Sequence, residues 1–165
     1  MSRRKTVFSP GTITIGETVD VTDPCYDKSA RCRRNGIKTV PGEYVCEYHT
    51  KNCGEYMWQG EKHIDERVSL SMIYLKDRHK KAPRIRDFSP IGGIGVDAGL
   101  AGYFPDKPDY DDEQWAKFCD NIKEGDAWIT EDGYFTSSGY GDGGYTVSAI
   151  KDDNGRATAL MIEFL

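Results

Sequence analysis

Three aspartates sit where glycine or proline bends the chain around a carboxylate. They are Asp23 in Asp-Pro-Cys-Tyr, Asp97 in Gly-Val-Asp-Ala-Gly and Asp142 in Gly-Tyr-Gly-Asp-Gly-Gly-Tyr. Converging carboxylates can hold a divalent cation, activate a water, or accept hydrogen bonds from a ligand's hydroxyls and amines. An aspartate in a turn can equally accept from the amide two residues on and hold the loop without any ligand. Both readings stand for each of the three. Tyr26, Tyr103, Tyr140 and Tyr145 flank these turns, either as packing at strand ends or as walls that stack a planar ligand. With Ser138 and the aspartates they form the candidate ligand-binding set. Its densest part is the stretch 133–145, where glycines crowd around Asp142. Such a composition suits positive φ or a close approach to the backbone.

Other chemistries are excluded by context. Gly93-Ile-Gly95-Val-Asp-Ala98 carries the letters of a dinucleotide fingerprint, but that motif needs a buried strand before it and a helix after it. Here Ser89-Pro90 precedes, and glycines with Pro105 follow. Asp152-Asp-Asn-Gly155 begins like a calcium loop and lacks the later ligands, so a hairpin turn accounts for it. Gly141-Asp142-Gly143-Gly144 has no nucleophilic serine, and neither G-x-S-x-G nor H-E-x-x-H occurs. Cys25 and Cys32 are separated by six residues, as are Cys46 and Cys53. Zinc knuckles use two to four, so free thiols are expected, although His49 and His63 lie close enough in sequence to complete a mixed site. Cys119 is expected in the core.

The elements that must position these residues are mostly strands. Alternation over 12–15 and 17–22 predicts two short strands, or one with a bulge, ended by Pro24. Residues 27–36 are polar and basic and read as a loop. After Pro41-Gly42, residues 43–50 alternate with Tyr44, Cys46 and Tyr48 on one side. Over 67–75, Val68, Leu70 and Met72 face one way and Ser69 and Ser71 the other. Residues 76–86 hold six basic residues and one acid, and read as a solvated loop or an anion-binding arm. Trp115, Phe118, Cys119 and Ile122 form an apolar stripe that predicts one amphipathic helix at about 112–124. Asp111 with Gln114 should cap it and Gly125 should stop it. Asn154-Gly155 joins the strands 145–150 and 157–164 in a hairpin. The last strand is apolar on both faces and should be central. The expected fold is a single α+β domain over 1–165, mainly antiparallel β, as a sandwich or half-open barrel.

The chain has 165 residues and a net charge of −5, which argues against non-specific nucleic-acid binding. No apolar run approaches the ~20 residues of a membrane span. The basic start, residues 1–5, has no apolar stretch behind it, so no signal peptide and a cytoplasmic location are expected.

Five runs appear in order: Val-Thr-Asp-Pro at 21–24, Val-Pro-Gly-Glu-Tyr at 40–44, Gly-Val-Asp-Ala-Gly at 95–99, Ser-Ser-Gly-Tyr-Gly-Asp-Gly-Gly-Tyr at 137–145 and Met-Ile-Glu-Phe-Leu at 161–165. Together they resemble the bacterial and phage domain-of-unknown-function family DUF4241. The chain departs from that pattern at Cys25-Tyr26, where the family has an aliphatic residue after Asp-Pro, and the segment 25–53 looks like an elaboration. The resemblance implies a bacterial or phage origin and no mechanism. Three functions stand as expectations. The first is a non-catalytic binding protein for a small polar, nucleotide-type ligand, which in a phage would sequester a host defence signal. The second is a metal-dependent hydrolase using Asp23, Asp97 and Asp142. The third is a protein–protein inhibitor or immunity-type partner. Homo-oligomerisation is left open, and no cofactor is expected.

Overall fold

The computed structural model describes residues 5–122 and 124–165. Residues 1–4, most of the basic start, and Lys123, near the expected end of the helix, lie outside them. The strands are β1 (Lys5–Ile15), β2 (Thr18–Thr22), β3 (Arg34–Lys38), β4 (Gly42–Trp58), β5 (Glu61–Leu75), β6 (Ser89–Val96), β7 (Leu100–Phe104), β8 (Ala127–Ile129), β9 (Tyr134–Ser137), β10 (Gly143–Lys151) and β11 (Ala157–Glu163). The helix α1 (Asp112–Asn121) lies between β7 and β8. One sheet has the order β1-β4-β5-β11-β10-β6 and the other β3-β2-β7-β9-β8. Neighbouring strands run antiparallel in both.

The two sheets share one core. Ile15, Tyr44, Ile73, Leu160 and Ile162 of the first meet Val19, Val21, Ala101, Tyr103 and Tyr134 of the second. Two phenols bridge the layers: Tyr103 donates to the Ser71 carbonyl and Tyr134 to the Glu47 carbonyl, each at 2.9 Å. The architecture is a mainly antiparallel sandwich with one helix, and not a closed barrel. β11 is central as expected, paired with both β5 and β10. Its Leu160 and Ile162 enter the inter-sheet core, while Ala159 and Met161 join Leu70, Met72, Tyr74 and Phe88 on the outer face. A strand apolar on both sides is stable only where both are covered.

Several local expectations are corrected. The chain bends at Gly16-Glu17 and the two short strands enter opposite sheets, held there by Thr39, whose N–H donates to Glu17 O and whose hydroxyl donates to Gly16 O. β3 begins inside the expected loop, at Arg34. Val68 does not share a face with Leu70 and Met72. The register passes from His49–Leu70 to Thr50–Val68, leaving Ser69 as an extra residue, and one inserted residue turns the later side chains over. Val68 therefore packs in the inter-sheet core and Leu70 on the outer face.

The helix keeps its expected start. Asp111 accepts from the Gln114 amide at 2.8 Å, and the Gln114 side chain accepts from the Asp111 amide at 3.0 Å. It ends earlier than expected, with Ile122 as its cap, so Gly125 is not its stop. Cys119 is exposed rather than core. Trp115, Phe118 and the cap residue Ile122 are half-buried, with Phe118 5.1 Å from Phe135 of β9, and the helix buries none of its residues fully.

β4 and β5 are longer than the alternation implied. Beyond the sandwich they continue as a two-stranded arm, turned by Gln59 and Gly60 at φ 51° and 80°. Among the described residues, β1 accompanies β4 as far as the Lys5–Lys51 pair, and β11 meets β5 from Leu70 onward.

Candidate ligand-binding site

The glycine–aspartate turns do meet, and they meet as a hydrogen-bonded clamp. Asp23 is fully buried at the end of β2. Its Oδ1 accepts from the Cys25 amide at 2.9 Å, bracing its own turn. Its Oδ2 accepts from the amides of Asp97 at 2.8 Å and Ala98 at 2.6 Å, fastening the β6–β7 loop. That loop in turn holds the next one, because Gly99 O accepts from the Ser138 amide at 3.1 Å. Ser138 is buried, and its hydroxyl donates to Gly141 O at 2.9 Å. The Tyr145 hydroxyl reaches both Ser138 O at 3.0 Å and Gly141 O at 2.6 Å, closing the turn from the other side.

The remaining members of the expected set fall elsewhere. Tyr103 is fully buried between the sheets, which corrects its place as a pocket wall. Tyr26 is half-buried, its phenol pushed up to about 12 by burial and then by a hydrogen bond with Cys32. Tyr140 is 63% exposed at the base of the arm, with the Arg67 guanidinium carbon 4.3 Å from its ring centroid. Asp97 and Asp142 carry exposed carboxylates, and among the described residues the Asp142 side chain has no hydrogen-bond or ion-pair partner. Asp23 has spent both oxygens on amides, so the three carboxylates do not form one cage.

The cysteines do not gather either. Cys25 and Cys32 lie by the clamp, Cys46 is in the core, and the Cys53 thiol donates to Lys51 O. Among the described residues, no three His, Cys, Asp or Glu side chains are arranged to hold a metal ion. Burial, with Asp23 and Asp97 nearby, pushes the Cys25 thiol up to about 12 and keeps it a poor nucleophile.

Two cavities open elsewhere, and none of the eight expected residues lines either. The first, of about 290 Å³, lies between α1 and the outer face of β8 and β9. Its aromatic walls are Tyr110, Phe118, Trp128 and Phe135. These rings pack on one another: Phe118 lies tilted 5.1 Å from Phe135 and 5.5 Å from Tyr110, and Trp128 stacks on Phe135 at 5.5 Å. Gln114, Lys117, Asn121, Glu131 and Asp132 supply the polar rim. The Tyr110 hydroxyl donates to Asp132 Oδ2 at 2.5 Å, which fixes one wall to the rim. Behind it Lys107, 1% exposed, places its ammonium 4.1 Å from the Tyr110 centroid and donates to Pro108 O at 2.8 Å. Burial and then Arg33 lower the Lys107 pKa, against the pull of Asp109, Asp132 and Asp27. The Tyr110 phenol is raised by burial and then by Asp132, so it stays a donor.

The sequence held one signal for this cavity. Trp115, Phe118 and Ile122 read as an ordinary core stripe, but Trp128 and Phe135 follow on the next strands and bring more aromatic surface than a ten-residue helix can cover. The second cavity, of about 330 Å³, is lined by Arg34, Asn35, Ile37, Lys38, Ile91, Lys151 and Gly155, where the edges of the two sheets approach.

Comparison of the chain with protein-family models, with curated proteins and with solved structures finds no match.

Proposed function

We propose that the chain is a non-catalytic binding protein that takes a small, planar, polar ligand of nucleobase or nucleoside size in the cavity beneath α1. The cavity itself carries this reading. Its aromatic walls offer ring faces for stacking, and its rim offers carboxylate and amide groups that read the edge of a heterocycle. A volume of about 290 Å³ is at the small end for ligand pockets. Lys117 stands against Glu131 and Asp132 on the rim, so a donor-rich or cationic ring suits it better than a polyphosphate chain. The metal-dependent hydrolase reading loses support because the Asp23 oxygens are occupied by amides. The motif resemblance supports a bacterial or phage setting, where such a protein would hold a host defence signal out of circulation. A protein–protein role is favoured by a separate observation, the exposed apolar arm.

The test is a panel of nucleobases, nucleosides and nucleotides followed by tryptophan fluorescence, since Trp115 and Trp128 lie at or beside the cavity. Saturable quenching is expected, with the ligand recovered intact after denaturation. Phe118→Ala should weaken binding about tenfold through loss of one stacking wall. Recovery of an altered ligand would mean catalysis, and binding indifferent to Phe118→Ala would move the site elsewhere.

A further inference from the structure

Among the described residues, the arm strands have no partner but each other beyond Lys51 on β4 and before Arg67 on β5. An isolated two-stranded ribbon is marginal in water. This one also exposes large apolar side chains on both faces. Met57 and Ile64, 65% and 60% exposed, share one face, and Tyr56 and Trp58, 49% and 62% exposed, share the other. Open edges and uncovered apolar faces together call for another strand.

The outer edge of β5 specifies which strand. Residues 61–67 read Glu-Lys-His-Ile-Asp-Glu-Arg, and their charges oppose one another about Ile64. Lys62 mirrors Glu66, His63 mirrors Asp65, and Glu61 mirrors Arg67. In an antiparallel pair of identical strands about a two-fold axis, residues equidistant from the axis face each other. An axis at Ile64 therefore sets Lys62 against Glu66 and Glu61 against Arg67 of the partner subunit, with no like charges opposed. Moving it to His63 would set Glu61 against Asp65 of the partner subunit, and moving it to Asp65 would set His63 against Arg67 of the partner subunit. Backbone parity agrees with the first register. The two-residue Gln59-Gly60 turn closes on the Trp58–Glu61 pair, so alternation turns the amide and carbonyl of Lys62 and Ile64 outward.

We propose that the arm is a homodimerisation element. Two copies of the chain pair β5 to β5 about Ile64, joining two ribbons into one four-stranded sheet. Ile64 and Met57 of both copies then share a face, and Lys62 lies opposite Glu66 of the partner subunit. A sheet of four strands with an apolar face has the support that a lone ribbon lacks.

Light scattering behind size-exclusion chromatography tests this, over about 1–100 μM protein. The wild-type chain should run as a dimer. Lys62→Glu creates two like-charged pairs across the axis and should weaken association about 100-fold or more. Glu66→Lys should do the same, and the double variant Lys62→Glu/Glu66→Lys should restore the dimer by exchanging the partners. That rescue separates charge pairing from loss of the hydrogen bond that Thr50 donates to Glu66. A monomer at all concentrations overturns the proposal. So does a dimer indifferent to Lys62→Glu, a double variant that stays dissociated, or growth beyond two copies.

Discussion

The Asp23 carboxylate is fully buried and accepts from three backbone amides, whereas the Asp142 carboxylate faces solvent and accepts from none among the described residues. Removing an acceptor leaves its donors unsatisfied, and hydrogen bonds to a charged group are the costly ones to lose. Asp23→Ala should therefore destabilise the fold by about 3 kcal/mol or more, read as a lower urea midpoint. Asp142→Asn should stay within about 0.5 kcal/mol of the wild type, as surface changes usually do. Equal losses at both positions would mean that the clamp does not work through Asp23. The same contrast explains why a turn motif identifies a residue type and not its role.

At the level of elements, two glycines illustrate different constraints. Gly155 in the β10–β11 turn has φ 77°, and a Cβ there would meet no neighbouring atom. Gly102 sits in the middle of β7, where a Cβ would fall 2.1 Å from Tyr134 O and 2.5 Å from Phe135. Gly155→Ala should thus cost about 1 kcal/mol through backbone strain alone. Gly102→Ala must push β9 away from β7 and should cost several times as much, about 3 kcal/mol or more. Thermal unfolding of the two variants compares them directly. A Gly102→Ala protein as stable as Gly155→Ala would show that the β7–β9 spacing relaxes freely. The arm and the cavity also belong to this scale, because each is made where two elements outrun or undershoot their cover. β4 and β5 extend past their neighbours, and α1 is too short to close over β8 and β9.

Across the whole molecule, acid stability has an identifiable contributor. His79 follows β5 and packs edge-on to Tyr74 on the outer face, with Nε2 3.0 Å from the Thr158 hydroxyl. Burial, and then Arg78, lowers its pKa from 6.5. The unfolded chain therefore takes up this proton first, and stability falls as the pH drops below 6.5 towards the folded value. Asp152, whose carboxylate accepts from the Arg156 and Asn154 amides, is held below 3.8 and adds its own loss only at lower pH. His79→Gln keeps a partner for Thr158 and removes the titration. Its melting temperature should change less between pH 6.5 and 5 than that of the wild type. Parallel curves would assign the acid limb to other groups.

Much of the architecture was determined by local sequence. Two-residue alternation marks strands, Asn154-Gly155 makes a hairpin, and Asp111 with Gln114 starts the helix, because each depends on neighbours a few residues away. An apolar run on both faces likewise made β11 central. Which sheet each strand joins was decided only by the tertiary structure. So was the side that Val68 faces, since a bulge at Ser69 is defined by the partner strand and not by β5 itself. The candidate site divides in the same way. The glycine–aspartate turns were legible as special, and they do converge. Whether a carboxylate there meets a ligand or an amide depends on chain 74 residues away, as at Asp23 and Asp97. The cavity under α1 left only the aromatic excess of Trp128 and Phe135 as a trace, because it is a gap between a short helix and two strands, and a gap has no residues of its own.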